Sequence, residues 1–308
     1  MTAIAALTEQ LMQQGGLVVA GKSEKIRLIW VALLCGGHVL LEDLPGVGKT
    51  SMAQTMGRLL GLDYQRIQFT ADLLPSDVVG AQIFDREQQD FRFHRGPVFT
   101  QLLLADELNR ATPKAQSALL EAMEEQQVSV DGKTLALPKP FFVIATQNPQ
   151  SQSGTYPLPE SQLDRFFIRL SLGYPNEAVE KDLLMGKVGR LRMDDLQPIL
   201  QQADWPDLFE RVRQVELSGP VLDYIMRLVQ KTRDPAVCTV GLSPRASQSV
   251  ALAARAYALT FGRDYVVPDD VQAIFPAVAG HRLKALRSLS SESLLSLILD
   301  SVDVVGAT

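Results

Sequence analysis

The sequence contains little cysteine and little histidine, and this scarcity excludes several kinds of site. Its 308 residues include two cysteines, Cys35 and Cys238, and three histidines, His38, His94 and His281. Two isolated cysteines in apolar surroundings form neither a disulfide framework nor a zinc-binding spacing. The scattered histidines predict no metal cluster. We therefore expect a protein of a reducing compartment, the cytoplasm.

Long apolar runs and an excess of positive charge are also absent. The stretch LIWVALLCGGHVLL is interrupted by two glycines, and no stretch reaches the roughly 20 apolar residues of a membrane span. The N-terminus lacks the basic and apolar regions of a signal peptide. A formal net charge of -5 argues mildly against a dedicated duplex-binding protein. The 46% hydrophobic and 21% charged residues are typical of a globular protein with a core.

The first half of the chain alternates strand-like and helix-like segments. The predicted strands lie at 38–42, 64–69, 98–107 and 141–148, with a last strand in IRLSL. Helices are predicted after the first strand, from Thr112-Pro113 onward and, briefly, in LPESQLDRFF. Residues 127–137 predict a hairpin with Asp131-Gly132 at its tip. This alternation predicts a parallel sheet covered by helices on both faces.

The second half of the chain is expected to be helical only. We place the boundary at 173–178, in GYPNEA. Helices are predicted beyond it at roughly 176–190, 195–214, 220–233, 243–261, 268–279 and 290–301. The chain is therefore expected to form an α/β domain followed by an all-α domain.

A glycine-rich loop lies between the first predicted strand and its helix, as in a phosphate-binding loop. Backbone N–H groups and the helix N-terminus would surround an anion there. Lys49 would neutralise the β- and γ-phosphates of ATP, and the Thr50 hydroxyl would bind Mg²⁺. The predicted nucleotide-binding residues are Pro45, Gly46, Val47, Gly48, Lys49, Thr50 and Ser51.

One position departs from the usual P-loop pattern G-x-x-x-x-G-K-[ST], because Asp43 replaces the first glycine. The phosphate cradle comes mainly from the turn between Gly46 and Thr50. Asp43 lies where the chain leaves the strand, so its carboxylate is expected to point away from the nucleotide. We predict that Asp43→Gly retains ATP binding, whereas Lys49→Ala loses it.

Polar residues also end two later strands, where ligands of open α/β sheets bind. Asp106 and Glu107 follow the apolar run LLLA, and Asn148 ends FFVIATQN. Asp106 would hold Mg²⁺, and Glu107 would polarise the attacking water. Asn148 would orient this water or contact the γ-phosphate. The alternative is that Asn148 only forms a turn at the end of the strand.

Two arginines complete the candidate catalytic set. Arg165 lies late in the α/β half, and Arg245 lies in the first turn of the helix opened by Ser243-Pro244. A cation opposes the dipole at a helix N-terminus, so Arg245 indicates a nearby anion. Phosphoryl transfer gains from an arginine on the developing charge. Surface salt bridges are the alternative for both residues.

The order of these features resembles that of the AAA+ ATPases. The segments themselves resemble the MoxR family, of the helix-2-insert clade, between about residues 36 and 247. They are GGHVLLEDLPGVGKT, RIQFTADLLPSDVVG, GPVFTQLLLADELNRATPKAQSALLEAMEE, FFVIATQNP, LPESQLDRFF and LSPRAS. The segment EDLPGVGKT, which includes Asp43, is itself a sequence seen in MoxR-like chains.

The resemblance implies a role for each residue. Lys49 and Thr50 would form Walker A, Asp106 and Glu107 Walker B, and Asn148 sensor 1. Arg165 would be an arginine finger acting on a neighbouring subunit, and Arg245 would be sensor 2, acting within its own subunit.

The resemblance also implies the domain organisation. Residues 1–174 would form the P-loop AAA+ core, with a helix-2 insert at 83–99 and a hairpin before sensor 1 at 127–137. Residues 175–308 would form the helical lid.

The implied function is that of an Mg-ATP-hydrolysing motor that assembles into a ring, usually a hexamer. Such chaperone-like proteins act in maturing or activating client proteins, with a partner carrying a von Willebrand factor A domain. A nucleic-acid motor of the helicase or restriction type would be a different function, but the hairpin tip offers only Asp131, Gly132 and Lys133. A nucleic-acid partner is therefore not expected. A metal-chelatase motor subunit and a nucleotide-gated scaffold are further candidates, and Glu107 argues against the scaffold.

Overall fold

The computed structural model describes residues 3–148, 154–186, 195–286 and 289–305. The strands of the first half are β1 (Val39–Glu42), β2 (Tyr64–Gln68), β3 (Gly80–Asp85), β4 (Asp90–Arg95), β5 (Leu102–Asp106), β6 (Gln127–Val130), β7 (Lys133–Ala136), β8 (Phe142–Gln147) and β9 (Ile168–Leu170). Its helices are α1 (Ala3–Val18), α2 (Ser23–Leu34), α3 (Lys49–Leu59), α4 (Pro75–Val79), α5 (Pro113–Glu125) and α6 (Glu160–Leu163). The second half contains α7 (Glu177–Leu184), α8 (Trp205–Gln214), α9 (Gly219–Thr232), α10 (Pro244–Thr260), α11 (Pro268–Ala279) and α12 (Ser291–Asp300), together with β10 (Cys238–Val240) and β11 (Lys284–Ala285).

Five strands form one parallel sheet in the order β2-β5-β8-β1-β9. Because all five run in the same direction, their carboxyl ends meet at one edge. Glu42 pairs there with Gln147, and Gln68 pairs with Asp106. The predicted α/β class is confirmed, and the strands that end in the P-loop, in Asp106-Glu107 and in Asn148 open onto this common edge.

The central strands are buried on both faces, which explains their unbroken apolar sequence. Leu102 and Leu104 belong to one apolar core, and Leu103 and Ala105 belong to the other. Successive side chains of a strand point to opposite faces, so each apolar run supplies both cores. Helix α5 covers one face of the sheet, and α3 with the N-terminal helices covers the other.

The helical second half shares its apolar core with the N-terminal helices. Trp205 of α8 packs edge-on against Trp30 of α2, with ring centroids 5.7 Å apart, and against Phe142 of β8 at 4.9 Å. Helix α10 also packs against α1 and α2. One core therefore joins the start of the chain, one sheet face and the C-terminal helices. Within the described residues, no helix combines the length and apolar composition needed to cross a membrane.

The strand predicted at 98–107 is shorter than its apolar sequence indicates, because β5 begins at Leu102. Hydrogen bonds hold the residues before β5 in a turn. Val98 N donates to Val78 O at 3.3 Å, and Thr100 Oγ1 donates to Asp63 O at 2.7 Å. The prediction from the apolar sequence therefore placed the start of this strand too early.

The helix predicted at 195–214 is also shorter, and α8 begins only at Trp205. Pro198 cannot continue an interior helix, and the next residue turns toward the core, where Ile199 N donates to Leu59 O at 2.8 Å. The expectation of a purely helical second half was wrong as well, because β10 pairs with β11. Residues 187–190 of the helix predicted at 176–190 lie outside the described residues.

The hairpin expected at 127–137 is present, and a second hairpin overlaps the segment predicted as an insert. Strands β3 and β4 pair antiparallel from Gly80 to Arg95, so this hairpin begins before the insert predicted at 83–99, and β6 and β7 pair around Asp131-Gly132. Both turn residues have positive φ, +49° and +76°, as this two-residue turn requires.

Buried His38 is expected to make the protein less stable in acid. Burial lowers the pKa of His38 to about 4, and the contact of Nε2 with Met123 O opposes this shift only in part. Nδ1 accepts from Val143 N at 3.0 Å, so the neutral ring is the form that fits this site. The unfolded imidazole titrates near 6.5, so the neutral ring favours folding above that pH and loses roughly 3 kcal/mol of this contribution as pH falls to 4. Urea unfolding at pH 7 and pH 5 measures the loss. His38→Asn should flatten the dependence, whereas the same change at exposed His94 should not, and an unchanged slope in His38→Asn would contradict the assignment.

Candidate active site

A cleft of about 330 Å³ lies at the carboxyl edge of the sheet, and we call it the P-loop cleft. Its walls come from the loop after β1, the start of α3, and the ends of β5 and β8. The lining residues are Pro45, Gly46, Gly48, Lys49, Thr50, Ser51, Asp106, Glu107 and Asn148. All but one of the predicted P-loop residues line it, and the exception, Val47, packs against the core.

The loop conformation explains why glycine occurs at two positions of the P-loop. Gly46 and Gly48 have φ of +84° and +95°, which L residues rarely adopt. A Cβ at either position would meet no atom within 4 Å. The backbone conformation therefore requires these glycines, and the P-loop cleft opens beside them at the start of α3. Such a helix start binds anions.

Lys49 lies at the centre of the P-loop cleft and is held by oxygen atoms. Its Nζ donates to Asn148 Oδ1 at 2.7 Å, to Leu44 O at 3.0 Å, and to the backbone carbonyl of Asp43. Burial lowers the pKa of Lys49, and the carboxylates of Asp43, Asp106 and Glu107 oppose that shift. The ammonium group therefore lies where an incoming phosphate can exchange for protein oxygens.

Thr50 and Asp106 provide an oxygen pair that fits Mg²⁺. Thr50 Oγ1 lies 3.4 Å from Asp106 Oδ2, and Thr146 Oγ1 donates to Asp106 Oδ1 at 2.6 Å. Among the described residues, no group of three or more acidic, histidine or cysteine side chains could hold a metal ion. Mg²⁺ is characteristically bound by one or two carboxylates plus phosphates and water, so this small donor set suits an ion that arrives with a nucleotide.

Glu107 lies beside this pair in a strained backbone conformation, with φ of +55°. Its N–H donates to Thr146 Oγ1 at 2.8 Å, and its carboxylate accepts from Asn148 Nδ2 at 3.2 Å and from Gln68 Nε2 at 2.9 Å. Asn148 thus joins Glu107 to Lys49, whereas its predicted contacts with the attacking water and the γ-phosphate stay predictions. The alternative, that Asn148 only forms a turn, does not account for these two contacts.

Arg66 contributes to the site and was not found from the sequence. Its Nη2 donates to Asp106 Oδ2 at 2.7 Å, at the oxygen that also faces Thr50. A signal was available, because Arg66 lies on β2, whose partner β5 ends in Asp106. Thr146 was likewise missed, although a polar residue within the apolar run of β8 indicates a specific hydrogen bond.

The two candidate arginines lie together, and away from the P-loop cleft. Arg165 Nε donates to Glu124 Oε2 at 2.7 Å, and Arg245 Nη1 donates to Glu124 Oε1 at 3.3 Å. They line a separate cavity of about 230 Å³, the arginine cavity, which also contacts Gly37 and His38. Hydrogen bonding to Arg165 lowers the pKa of Glu124.

The arginine cavity and the P-loop cleft lie at opposite ends of β1. His38 precedes β1 and Pro45 follows it, so the strand separates the two. The position of Arg245 therefore does not match its expected role on the nucleotide of its own subunit. Sequence order could not reveal this, because the path of the second half brings α10 to the end of α5.

The chain matches known protein families in its sequence and in its fold. Residues 38–168 match the ATPase family associated with various cellular activities (AAA), and residues 230–296 match an AAA lid domain. A solved protein from Cytophaga hutchinsonii, described as a candidate ATPase, superposes with a TM-score of 0.88 at 35% identity, covering 97% of this chain and 95% of that one.

Curated relatives extend the similarity over nearly the whole chain. Chaperone MoxR1 of Mycobacterium tuberculosis is 40% identical over 92% of this chain and 79% of its own length. Protein MoxR of Paracoccus denitrificans is 31% identical over 86% of this chain and 85% of its own. The uncharacterised protein YeaC of Bacillus subtilis is 45% identical over 93% of this chain and 91% of its own.

Proposed function

Because this chain belongs to the MoxR family of AAA+ ATPases, we propose that it hydrolyses Mg-ATP to remodel client proteins as a cytoplasmic, ring-forming chaperone. The observation that supports this proposal most strongly is the convergence of Lys49, Thr50, Asp106, Glu107 and Asn148 on one cleft. These residues come from three strand ends, and phosphoryl transfer needs each of their functional groups.

Nucleotide binding is assigned to the P-loop cleft. The N–H groups at the start of α3 would face the phosphates, and Lys49 would exchange some of its protein oxygens for those of the β- and γ-phosphates. Thr50 and Asp106 would hold Mg²⁺, which when bound neutralises charge on the phosphates. Arg66 would then give up part of its contact with Asp106, because Arg66 donates to Asp106 Oδ2, the oxygen that also faces Thr50 and would bind the ion.

Hydrolysis is assigned to Glu107, with Asn148 as its positioning partner. The Glu107 carboxylate would accept a proton from the attacking water at the cleft. Asn148 contacts both Glu107 and Lys49, so one amide sets the distance between the water-activating group and the phosphate-binding group. Thr146 fixes the backbone of Glu107 and the carboxylate of Asp106 together.

Arg165 and Arg245 are proposed to act on the nucleotide of a neighbouring subunit. Both lie at the end of β1 opposite their own P-loop cleft, and together with Glu124 they form one surface feature. A head-to-tail ring would bring this surface to the next subunit's cleft. The role of Arg245 is accordingly revised from its own subunit to the adjacent one, and a hexamer is the ring size we propose.

The proposed partner is a protein with a von Willebrand factor A domain, which would bring the client to the ring. This partner comes from the family resemblance. Purification of the protein from its native host, followed by identification of the bound proteins, tests it.

Replacing Lys49 with alanine is expected to weaken ATP binding at least about a hundredfold, since a buried charge-assisted contact with phosphate is lost. Titration with a fluorescent ATP analogue measures this. Lys231→Ala is the matched control, because Lys231 pairs with Asp234 at the protein surface. ATP binding of wild-type strength in Lys49→Ala would refute the assignment of the P-loop cleft.

A further inference from the structure

We infer that Asp43 couples the P-loop cleft to the segment 171–174, which leads from the last strand of the sheet into the helical second half. The inference rests on the proposed function, because it concerns how nucleotide binding in that cleft moves other parts of the chain. Two sets of hydrogen bonds support it, one made by the side chain of Asp43 and the other by its main chain.

The Asp43 side chain is bound to the connecting segment. Its Oδ2 accepts from Gly173 N at 2.6 Å and from Ser171 Oγ at 2.9 Å, while Oδ1 accepts from Leu44 N at 2.9 Å. Burial opposes ionisation, but the hydrogen bonds from Gly173, Ser171 and Leu44 outweigh it and lower the pKa of Asp43. The side chain is thus an anion at neutral pH whose hydrogen bonds are made away from the cleft.

The Asp43 main chain is bound to the P-loop cleft. Its carbonyl accepts from Lys49 Nζ, and its N–H donates to Gln147 O at 3.2 Å, at the end of β8. Lys49 Nζ has three N–H donors and contacts four protein oxygens, so donating to the β- and γ-phosphates must displace some of these oxygens, and on this proposal the Asp43 carbonyl is one of them. Nucleotide binding therefore removes a donor from the same residue whose carboxylate holds Gly173.

Lys22 binds the same segment through hydrogen bonds from its ammonium group. Its Nζ donates to Leu172 O at 2.7 Å, to Gly173 O at 2.9 Å and to Tyr174 O at 2.8 Å. An anion and a cation, both buried, thus fix four consecutive residues of the connection. The backbone of Gly173 binds both, since its N–H donates to Asp43 and its carbonyl accepts from Lys22.

The loop that carries Lys22 also contacts the first helix of the second half. A Cβ at Gly21 would lie 3.2 Å from Val179 Cγ2 on α7, so the backbone of the loop approaches that helix closely. A displacement of Asp43 on release of Lys49 moves the segment 171–174 and, through it, α7. Asp43 is therefore a positioning residue, and this role accounts for a carboxylate in place of the first P-loop glycine.

Asparagine at position 43 tests the coupling. Asp43→Asn keeps the side-chain shape, but its single acceptor oxygen can face either Leu44 N or the donors of Ser171 and Gly173, and its NH2 group accepts from neither side. We expect the affinity for an ATP analogue to stay within about threefold of wild type, while kcat falls about tenfold or more, as loss of a charged hydrogen bond implies.

Hydrogen exchange provides a readout that a purely structural role would not change. With a nonhydrolysable ATP analogue, we expect amides at the start of α3 to gain protection in both wild type and Asp43→Asn. The exchange of α7 amides should respond to the analogue only in the wild type. Asp204→Asn is the matched control, because its carboxylate also accepts a backbone N–H, from Gln201 at 2.8 Å, but lies away from the connection.

Ser171→Ala keeps the test decisive if Asp43→Asn folds poorly, because it removes one donor and leaves the charge. It should lower kcat in the same direction, by about threefold. Wild-type kcat and a wild-type α7 response in both variants would overturn the coupling while leaving the proposed ATPase intact. Absence of ATP hydrolysis by the wild-type protein would instead refute the proposed function.

Discussion

Replacing Glu107 with glutamine is expected to lower kcat for ATP hydrolysis by about 10²- to 10⁴-fold, the usual contribution of a general base. Glutamine keeps an oxygen that accepts from Asn148 Nδ2, so the shape of the cleft and the contact between Asn148 and Lys49 should survive. It cannot take a proton from water. ATP should therefore remain bound and intact, which chromatography of the nucleotide retained after desalting would show.

Glu121→Gln is the control for this variant, because Glu121 is an exposed carboxylate on α5. It should hydrolyse ATP at the wild-type rate. Turnover within tenfold of wild type in Glu107→Gln would assign water activation to another group. Loss of ATP binding would instead show that Glu107 mainly holds the cleft together, through Gln68 and Arg110.

The P-loop cleft could be predicted from sequence because short-range patterns determine its parts. An apolar strand, two glycines and a helix start place Lys49 and Thr50 without reference to the remaining chain. Parallel strands then bring their ends to one edge, so Asp106 and Asn148 were expected near the P-loop. The outline of the fold follows from the same alternation of strands and helices.

The contacts that could not be predicted join residues far apart in sequence. Arg245 meets Glu124, 121 residues away, and Lys22 meets Gly173, 151 residues away. No local pattern specifies such pairs, because they depend on how α10 and the loop after α1 pack against distant parts of the chain. The sequence therefore predicted an anion near Arg245, and the family resemblance indicated the nucleotide of its own subunit, but the contact with Glu124 was not predicted.

Asp43 shows how an apparent exception to a motif can be explained. Its position before the phosphate cradle predicted a carboxylate pointing away from the nucleotide, and the carboxylate does contact Ser171 and Gly173. The partners themselves could be identified only from the three-dimensional arrangement, in which β9 lies beside β1 and the residues that follow β9 reach Asp43. A residue that resembled a defect in one motif proves to connect two parts of the chain.

Replacing Arg165 with alanine is expected to lower kcat by about 10³- to 10⁵-fold at assembled concentrations, as removal of an arginine finger does, without changing nucleotide affinity. Arg165 and Glu124 are both partly exposed, so loss of their ion pair should have little effect on folding. Arg211→Ala, which breaks an exposed pair with Asp207, is the matched control and should keep wild-type activity. ATPase assays over a range of protein concentrations, with fluorescent-nucleotide titrations, measure both quantities.

Mixing two inactive variants tests whether Arg165 acts across a subunit boundary. A Lys49→Ala subunit cannot bind ATP but still presents Arg165, whereas an Arg165→Ala subunit binds ATP but presents no finger. In a randomly mixed head-to-tail ring with equal amounts, roughly a quarter of the sites combine an intact cleft with an intact neighbouring finger. Each variant alone should therefore be inactive and the mixture active, because the cleft and the arginine cavity of one chain lie at opposite ends of β1. A mixture as inactive as its components would show that Arg165 serves its own subunit or that no ring forms, and either result would contradict the proposed assembly.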